Sequence, residues 1–108
     1  MTTDFAAAIE NLKQRFLDRS AAELGLLLEF QAGRSADADG LKYIVHRLAG
    51  TAATLGFADV SAAATRLELH WRAHGDIDAG GLEALIAEVR KLDAPEASDL
   101  ATPLARQG

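Results

Sequence analysis

The 108-residue chain contains no cysteine. That absence excludes disulfide bonds, thiolate metal ligands and cysteine nucleophiles, and it suits the reducing cytoplasm, where we expect the protein to reside. Basic residues are outnumbered: 11 Lys and Arg against 16 Asp and Glu leave a net charge of −5, which disfavours nonspecific binding to nucleic acid or anionic lipid. No run of about 18 apolar residues is present, so we expect no membrane-spanning segment.

Proline and strand-like patterns are also scarce. The only prolines are Pro95 and Pro103, and no segment alternates apolar and polar residues as a half-buried β-strand does. Apolar residues instead recur every three or four positions, which predicts amphipathic helices. The predicted fold class is all-α, an antiparallel up-down four-helix bundle with an additional N-terminal helical segment. We expect residues 1–93 to form this domain and residues 94–108 to be a flexible C-terminal tail.

Polar capping residues and glycines predict where the helices begin and end. Ser20-Ala21-Ala22-Glu23 has the form of a capping box, so we favour a break or kink at Ser20. The apolar phase also continues through Ser20, which leaves one kinked helix over residues 4–33 as the alternative to two helices. The predicted starts of the next three helices are the stretch from Ser35 to Gly40, Asp59 or a neighbour, and Asp76 or Asp78. Their predicted ends are Leu55 before Gly56, His74 before Gly75, and Asp93-Ala94-Pro95.

Each predicted helix carries one apolar stripe that we expect to face the core. The stripes of the last two helices comprise Val60, Ala63, Ala64, Leu67, Trp71 and His74, and then Leu82, Leu85, Ile86, Val89 and Leu92. The stripe of the helix before them comprises Leu41, Val45, Leu48, Ala52 and Leu55. His46 points about 140° away from this last stripe. We therefore expect its imidazole on the solvent side of the helix.

Small residues follow His46 on this exposed face. Its neighbours one turn before it and on the turns after it are Lys42, Ala49, Gly50 and Ala53. A glycine inside a helix costs about 1 kcal/mol relative to alanine, so helix stability does not explain Gly50. Clearance around an exposed, nucleophilic ring nitrogen would let a second macromolecule transfer a group to or from it. The competing interpretation is an ordinary surface histidine in an alanine-rich helix.

The segment HRLAG, followed by TAATLGF, resembles the signature of histidine-containing phosphotransfer (HPt) domains. The matching positions are His46, Leu48, Gly50, Leu55 and Gly56, and the similarity extends from about Phe16 to Leu92. The resemblance implies a four-helix bundle in which Nε2 of His46 accepts a phosphoryl group from a receiver-domain phospho-aspartate and passes it to another receiver. It also implies a stoichiometric phosphocarrier of two-component phosphorelays rather than an enzyme, with no bound cofactor. We expect a monomer, because the one chain already supplies four helices. The implied partners are a response-regulator receiver domain, a hybrid sensor histidine kinase, or both, with the receiver supplying Mg²⁺.

The chain departs from the family signature at Ala49, where the usual residue is a lysine that helps to neutralise the phosphoryl group. Lys42, one turn before His46 on the same face, is our predicted replacement. Arg47 is a second candidate because its side chain is long, although it lies about 100° round the helix from His46. The alternative is that the partner provides this positive charge.

Several other features allow different interpretations. His70 and His74 have a spacing that can hold a metal, but the HExxH glutamate and a third ligand are missing, so we predict no metal site. The carboxylates are scattered, and the sequence indicates no second catalytic group beside His46. Leu69 is a candidate for a further exposed apolar contact. The main alternative functions are an HPt-like interaction module that binds and regulates a receiver or sensor kinase without being phosphorylated, and an ordinary dimerising bundle.

Overall fold

A computed structural model of the chain describes residues 2–93, with side chains from 4 to 92. Its four α-helices are α1 (Thr2–Gln31), α2 (Ala38–Leu55), α3 (Ala58–His74) and α4 (Ala79–Asp93). Short connections make successive helices antiparallel, and α1 and α3 each pack against both α2 and α4. The described residues contain no strand. The predicted all-α, up-down four-helix bundle is therefore confirmed.

The first helix, α1, runs without interruption for 30 residues, so the predicted break at Ser20 is wrong. Ser20 lies inside the helix and is only 1% exposed. Glu23 does not turn back to cap a helix start, because its carboxylate accepts hydrogen bonds from Arg19 and Arg47. Burial of a continuous apolar face and this pairing outweigh the local capping preference. The additional N-terminal helical segment is the first part of α1.

Local signals determine the ends of α2 and α3. Asp37 caps α2 because its side chain accepts a hydrogen bond from the amide of Gly40 at 2.9 Å. Gly56 ends α2 with φ at 90°, and Gly75 ends α3 with φ at 86°. Both values lie in the left-handed region that side-chain-bearing residues rarely adopt. The predicted limits of α2 and the predicted stop of α3 are confirmed.

The start of α3 differs from the prediction, whereas the start of α4 selects one of the two predicted residues. Phe57, two residues before Asp59, occupies the N-cap position of α3 and forms no side-chain capping bond, and Asp59 lies in the first turn of the helix. Asp78 accepts a hydrogen bond from a backbone amide in the first turn of α4 at 2.8 Å, as a capping residue does. The predicted stop at Pro95 and the predicted tail, residues 94–108, lie outside the described residues.

The predicted apolar stripes form the core of the bundle. The buried members are Leu41, Val45, Leu48 and Ala52 of α2, Val60, Ala63, Ala64 and Leu67 of α3, and Leu82, Leu85, Ile86 and Val89 of α4, with Leu55, Trp71 and Leu92 partly buried. From α1, Phe16 and Leu27 complete this core. The prediction that His74 faces the core is wrong. It is exposed because it is the last residue of α3, where its ring packs against that of His70 with 4.5 Å between centroids.

Candidate functional site

His46 projects from the middle of α2 into solvent. Its side chain is 69% exposed, whereas Val45 and Leu48 on the core side of the same helix are fully buried. The predicted outward orientation of His46 is confirmed. The helix thus anchors itself by its apolar stripe and leaves the imidazole accessible to another molecule.

A carboxylate from α3 lies against this imidazole. Oε2 of Glu68 is 2.7 Å from Nδ1 of His46, and the Glu68 side chain is only 13% exposed. This carboxylate was not singled out from the sequence as a neighbour of His46. The two residues lie at similar distances along the chain from the turn between α2 and α3, since His46 is ten residues before Gly56 and Glu68 is eleven after Phe57. The tight turn between α2 and α3 brings two such positions to the same level of the bundle.

The contact with Glu68 determines which ring nitrogen of His46 can react. A carboxylate accepts hydrogen bonds, so Nδ1 of His46 is the donor in this pair. In the neutral imidazole the proton then resides on Nδ1, and Nε2 keeps its lone pair. Arg72, one turn further along α3, donates from Nη2 to the same Oε2 of Glu68 at 2.9 Å. Glu68 is thereby held between a histidine and an arginine, which restricts the orientation of the ring.

The small residues around His46 separate into two groups. Gly50 and Ala53 are exposed, whereas Ala49 is half-buried and packs against the core. A Cβ added at Gly50 would meet no atom within 4 Å, so neither packing nor backbone conformation requires glycine there. Leu69 is 61% exposed, as the sequence predicts, and Tyr43 is exposed to the same degree. The solvent side of α2 at His46 is therefore free of bulk on the turn that follows it.

Both cations predicted to support a phosphoryl group have partners of their own. Nζ of Lys42 lies 5.8 Å from the centroid of the Trp71 ring, which is cation–π distance. Arg47 is only 15% exposed and forms an ion pair with Glu23 of α1. That pair ties α1 to α2 directly beside the exposed histidine.

A groove between α1 and α2 adjoins His46 and encloses about 520 Å³. Its lining combines apolar, hydroxyl and guanidinium side chains around the histidine: Leu12, Arg15, Phe16, Arg19, His46, Arg47, Gly50, Thr51, Thr54 and Leu55. The two arginines from α1, Arg15 and Arg19, were not among the sequence-predicted site residues. Periodicity within one helix gives no information about which residues of another helix stand opposite, and so it could not have found them.

The other histidines form a separate pair at the far end of α3. Nε2 of His70 lies 3.1 Å from Oδ1 of Asp76, and the His70 ring packs on that of His74. Among the described side chains, no group of three or more His, Cys, Asp or Glu residues could hold a metal ion. This pair takes no part in the surroundings of His46.

Comparison with protein-family models shows to which family the chain belongs. The model of the Hpt domain matches residues 11–95, which is well over half of the chain. Searches of curated proteins and of solved structures found no match. No helix within residues 2–93 is long and apolar enough to cross a membrane. The four-helix bundle, the exposed histidine and the family match agree, and the chain belongs to the Hpt domain family, whose members are phosphocarriers in the phosphorelays of two-component signalling.

Proposed function

We propose that this chain carries phosphoryl groups between receiver domains and that His46 is the residue phosphorylated. His46 takes the group from a phospho-aspartate of one receiver and passes it to an aspartate of another. The observation that carries this proposal is a 69% exposed imidazole whose Nδ1 lies 2.7 Å from the Glu68 carboxylate. Exposure gives a large partner access to the ring, and the carboxylate orients the reacting nitrogen in advance.

Nε2 of His46 is the nucleophile in this scheme. Its lone pair forms the new N–P bond while the P–O bond to the receiver's aspartate breaks, and that electron pair returns to the aspartate carboxylate. The imidazole acquires positive charge as the bond forms. Its Nδ1 proton stays shared with Glu68, whose negative charge stabilises the ring. Transfer to the second receiver reverses these bond changes, so the chain is a stoichiometric carrier and not an enzyme.

Glu68 acts as a positioning residue for this reaction. An imidazole on an exposed helix face would otherwise rotate about its side-chain bonds, at an entropic cost when one orientation is required. Glu68 is itself only 13% exposed and is held by Arg72 at 2.9 Å. The approaching partner therefore meets a ring that is already turned with Nδ1 towards α3.

The receiver supplies the remaining chemistry in this proposal. We expect it to bring the Mg²⁺ and the groups that activate the phospho-aspartate, so that the chain requires no cofactor of its own. Gly50 and Ala53 provide the clearance that a receiver needs beside His46, and Ala49 continues this surface towards α3. A surface without long side chains costs little side-chain entropy when a partner covers it.

The two cations predicted from the sequence have supporting roles. Lys42 is close enough on α2 to leave the face of Trp71 and contact a docked partner or the phosphoryl group. Arg47 holds α1 against α2 through its ion pair with Glu23, which keeps the wall beside His46 in place. We further propose that the chain acts as a cytoplasmic monomer and exchanges phosphate with response-regulator receivers, hybrid sensor kinases, or both.

Phosphotransfer from purified receivers tests the proposal. Receiver domains of the source organism are phosphorylated with a labelled phosphoryl group and mixed, in the presence of Mg²⁺, with the wild-type chain, His46→Gln or His74→Gln. The control replaces another exposed histidine, on α3. We expect the wild type and His74→Gln to acquire label that is labile in acid and stable in alkali, whereas His46→Gln acquires none.

Two results would overturn this function. Label on His46→Gln equal to that on the wild type would assign the phosphoryl group to a different residue. Binding of a receiver to the wild type without any label, over the full set of receivers, would instead identify an interaction module that is not phosphorylated. Circular dichroism of each variant establishes that the helical bundle is intact before the labels are compared.

A further inference from the structure

We propose that Arg15 of α1 binds the phosphoryl group on His46 and replaces the lysine that the family signature has at the position of Ala49. This inference rests on the proposed phosphorylation of His46. It starts from the groove between α1 and α2, which is lined by both Arg15 and His46. A group attached to the ring on this side enters a space that already contains a guanidinium.

The orientation of His46 favours this side of α2. Its Nδ1 faces Glu68 on α3 at 2.7 Å. The two nitrogens of an imidazole point in different directions, so Nε2 is directed away from Glu68 and therefore away from α3. His46 also lines the groove on the α1 side, and we infer that a phosphoryl group on Nε2 is directed into this groove.

Arg47 of α2 and Arg72 of α3 are already paired with carboxylates. Arg72 donates to Glu68 at 2.9 Å, on the Nδ1 side of the ring. Arg47 is paired with Glu23 and only 15% exposed. Removing either arginine would leave a shielded carboxylate with one charged partner fewer, which costs free energy.

Arg15 differs from these two arginines. Among the side chains that the structure describes, it forms neither a hydrogen bond nor an ion pair, and it is exposed. Arg19, the other α1 arginine in the groove, donates to Glu23 at 3.2 Å. Lys42 lies against Trp71, a contact that is weaker than an ion pair but points its ammonium towards α3. Arg15 is thus the cation of the groove that can turn to a new anion without breaking a described contact.

Gly50 keeps the path between Arg15 and His46 open. It lies one turn after His46 and lines the same groove, and a Cβ built on it meets no atom within 4 Å. A larger residue there would stand between α1 and the imidazole. Arginine suits the task because its planar guanidinium can donate two parallel hydrogen bonds to phosphate oxygens. A phosphoryl group of charge near −2 on a chain of net charge −5 has particular need of such a partner.

Phosphoramidate, a small donor that loses ammonia when its P–N bond breaks, separates this inference from receiver docking. The wild-type chain, Arg15→Gln, Arg15→Lys and Arg66→Gln are phosphorylated with it and followed by ³¹P NMR. Arg66 is an exposed arginine of α3 that lines a different groove, against α4, so its variant controls for the lost charge. We expect Arg15→Gln alone to shift the phospho-histidine resonance and to reduce the phosphorylation rate about tenfold, in line with one lost charge-assisted hydrogen bond. Arg15→Lys should recover part of that rate.

The same variants are then compared with a phosphorylated receiver as donor. The expected result is a lower maximal transfer rate for Arg15→Gln at an unchanged half-saturating receiver concentration, since the guanidinium contacts the phosphoryl group and not the docking surface. An unchanged resonance and rate in Arg15→Gln, or a tenfold loss in Lys42→Ala in its place, would overturn the assignment to Arg15. Neither result would affect the proposed function. That function fails separately, if the wild-type chain is not phosphorylated on His46 by any receiver.

Discussion

The two sides of α2 that flank His46 are built differently. Towards α3 the contacts are closed, since Glu68 meets the imidazole and Ser61 Oγ donates to the carbonyl of Ala49 at 2.8 Å. Towards α1 the surface opens into a groove that contains Arg15, which forms no ion pair with another described side chain. The two helices next to α2 therefore have different roles at His46. One helix orients the ring, and the other leaves space for whatever the ring carries.

Beneath the groove, buried charged and aromatic side chains connect α1 to the rest of the bundle. Glu23 of α1 is 7% exposed and accepts hydrogen bonds from Arg19 and Arg47. At the end of the groove, the Phe16 ring stacks on Phe57 with 5.1 Å between centroids. A shielded charge cluster and an aromatic stack both resist displacement of α1 from α2. Buried contacts between α1 and α2 thus hold the two walls of the groove together.

The largest loss of transfer from a receiver is expected when a bulky side chain fills the groove side of α2. In Gly50→Trp the added Cβ meets no atom within 4 Å, and the indole would stand where a receiver approaches His46. We expect transfer from a phosphorylated receiver to be abolished while the helical circular dichroism is unchanged. Phosphoramidate, which is far smaller than a protein, should still phosphorylate the histidine.

The matched control for this variant is Gly25→Trp. Gly25 is an exposed mid-helix glycine of α1, and a Cβ added to it also meets nothing within 4 Å. It does not line the groove of His46, so receiver transfer should be as fast as in the wild type. Equal transfer in both tryptophan variants would show that the groove side is not the approach of the receiver.

An intermediate loss of phosphotransfer rate is expected when the contact between His46 and α3 is removed. Glu68→Ala removes the acceptor of Nδ1, so the ring loses its fixed orientation and the charge that stabilises its phosphorylated form. Misplacement of a reacting group costs about 100-fold in rate, and we expect a loss of that order for both receiver and phosphoramidate. Glu68→Gln should lose less, since an amide oxygen still accepts from Nδ1 but carries no charge.

Nitrogen NMR of the His46 ring provides the readout that links this loss to orientation. With Glu68 present, the neutral ring should be found with its proton on Nδ1; in Glu68→Ala both tautomers should be populated. Glu83→Ala, which removes an exposed carboxylate of α4, should change neither the tautomer nor the rate. A normal transfer rate in Glu68→Ala would refute the division of labour between the two sides of α2.

Features within one helix could be predicted from the sequence, and contacts between helices could not. Asp37, Gly56 and Gly75 act through their own backbone neighbourhood, so the ends of α2 and α3 were readable. The outward direction of His46 follows from the helical period alone. The capping box at Ser20 is a local signal of the same kind, but it competes with burial of the continuous apolar face of α1 and loses.

The missed site residues, Glu68 and Arg15, have a common physical cause. Each stands on a neighbouring helix, and its distance from His46 depends on the register in which two helices pack. For α3 the short turn at Gly56 and Phe57 restricts that register, so counting a similar distance on either side of the turn narrows the search to Glu68 and its sequence neighbours. For α1 the connection to α2 is longer, and no count along the chain determines which residue of α1 faces the histidine.

The smallest expected effects follow from replacing an exposed helical glycine by alanine, and they test whether Gly50 is present for access to His46. Gly50→Ala and Gly25→Ala should each raise the free energy of unfolding by about 1 kcal/mol, since both glycines are helical and exposed and a Cβ meets no atom within 4 Å. Urea unfolding followed by circular dichroism measures this gain. Receiver transfer should then fall a few-fold for Gly50→Ala only, because a methyl group narrows the approach to His46. A stability gain at Gly25 with a loss at Gly50 would mean that α2 needs its glycine for folding, and access to His46 would then not explain the glycine.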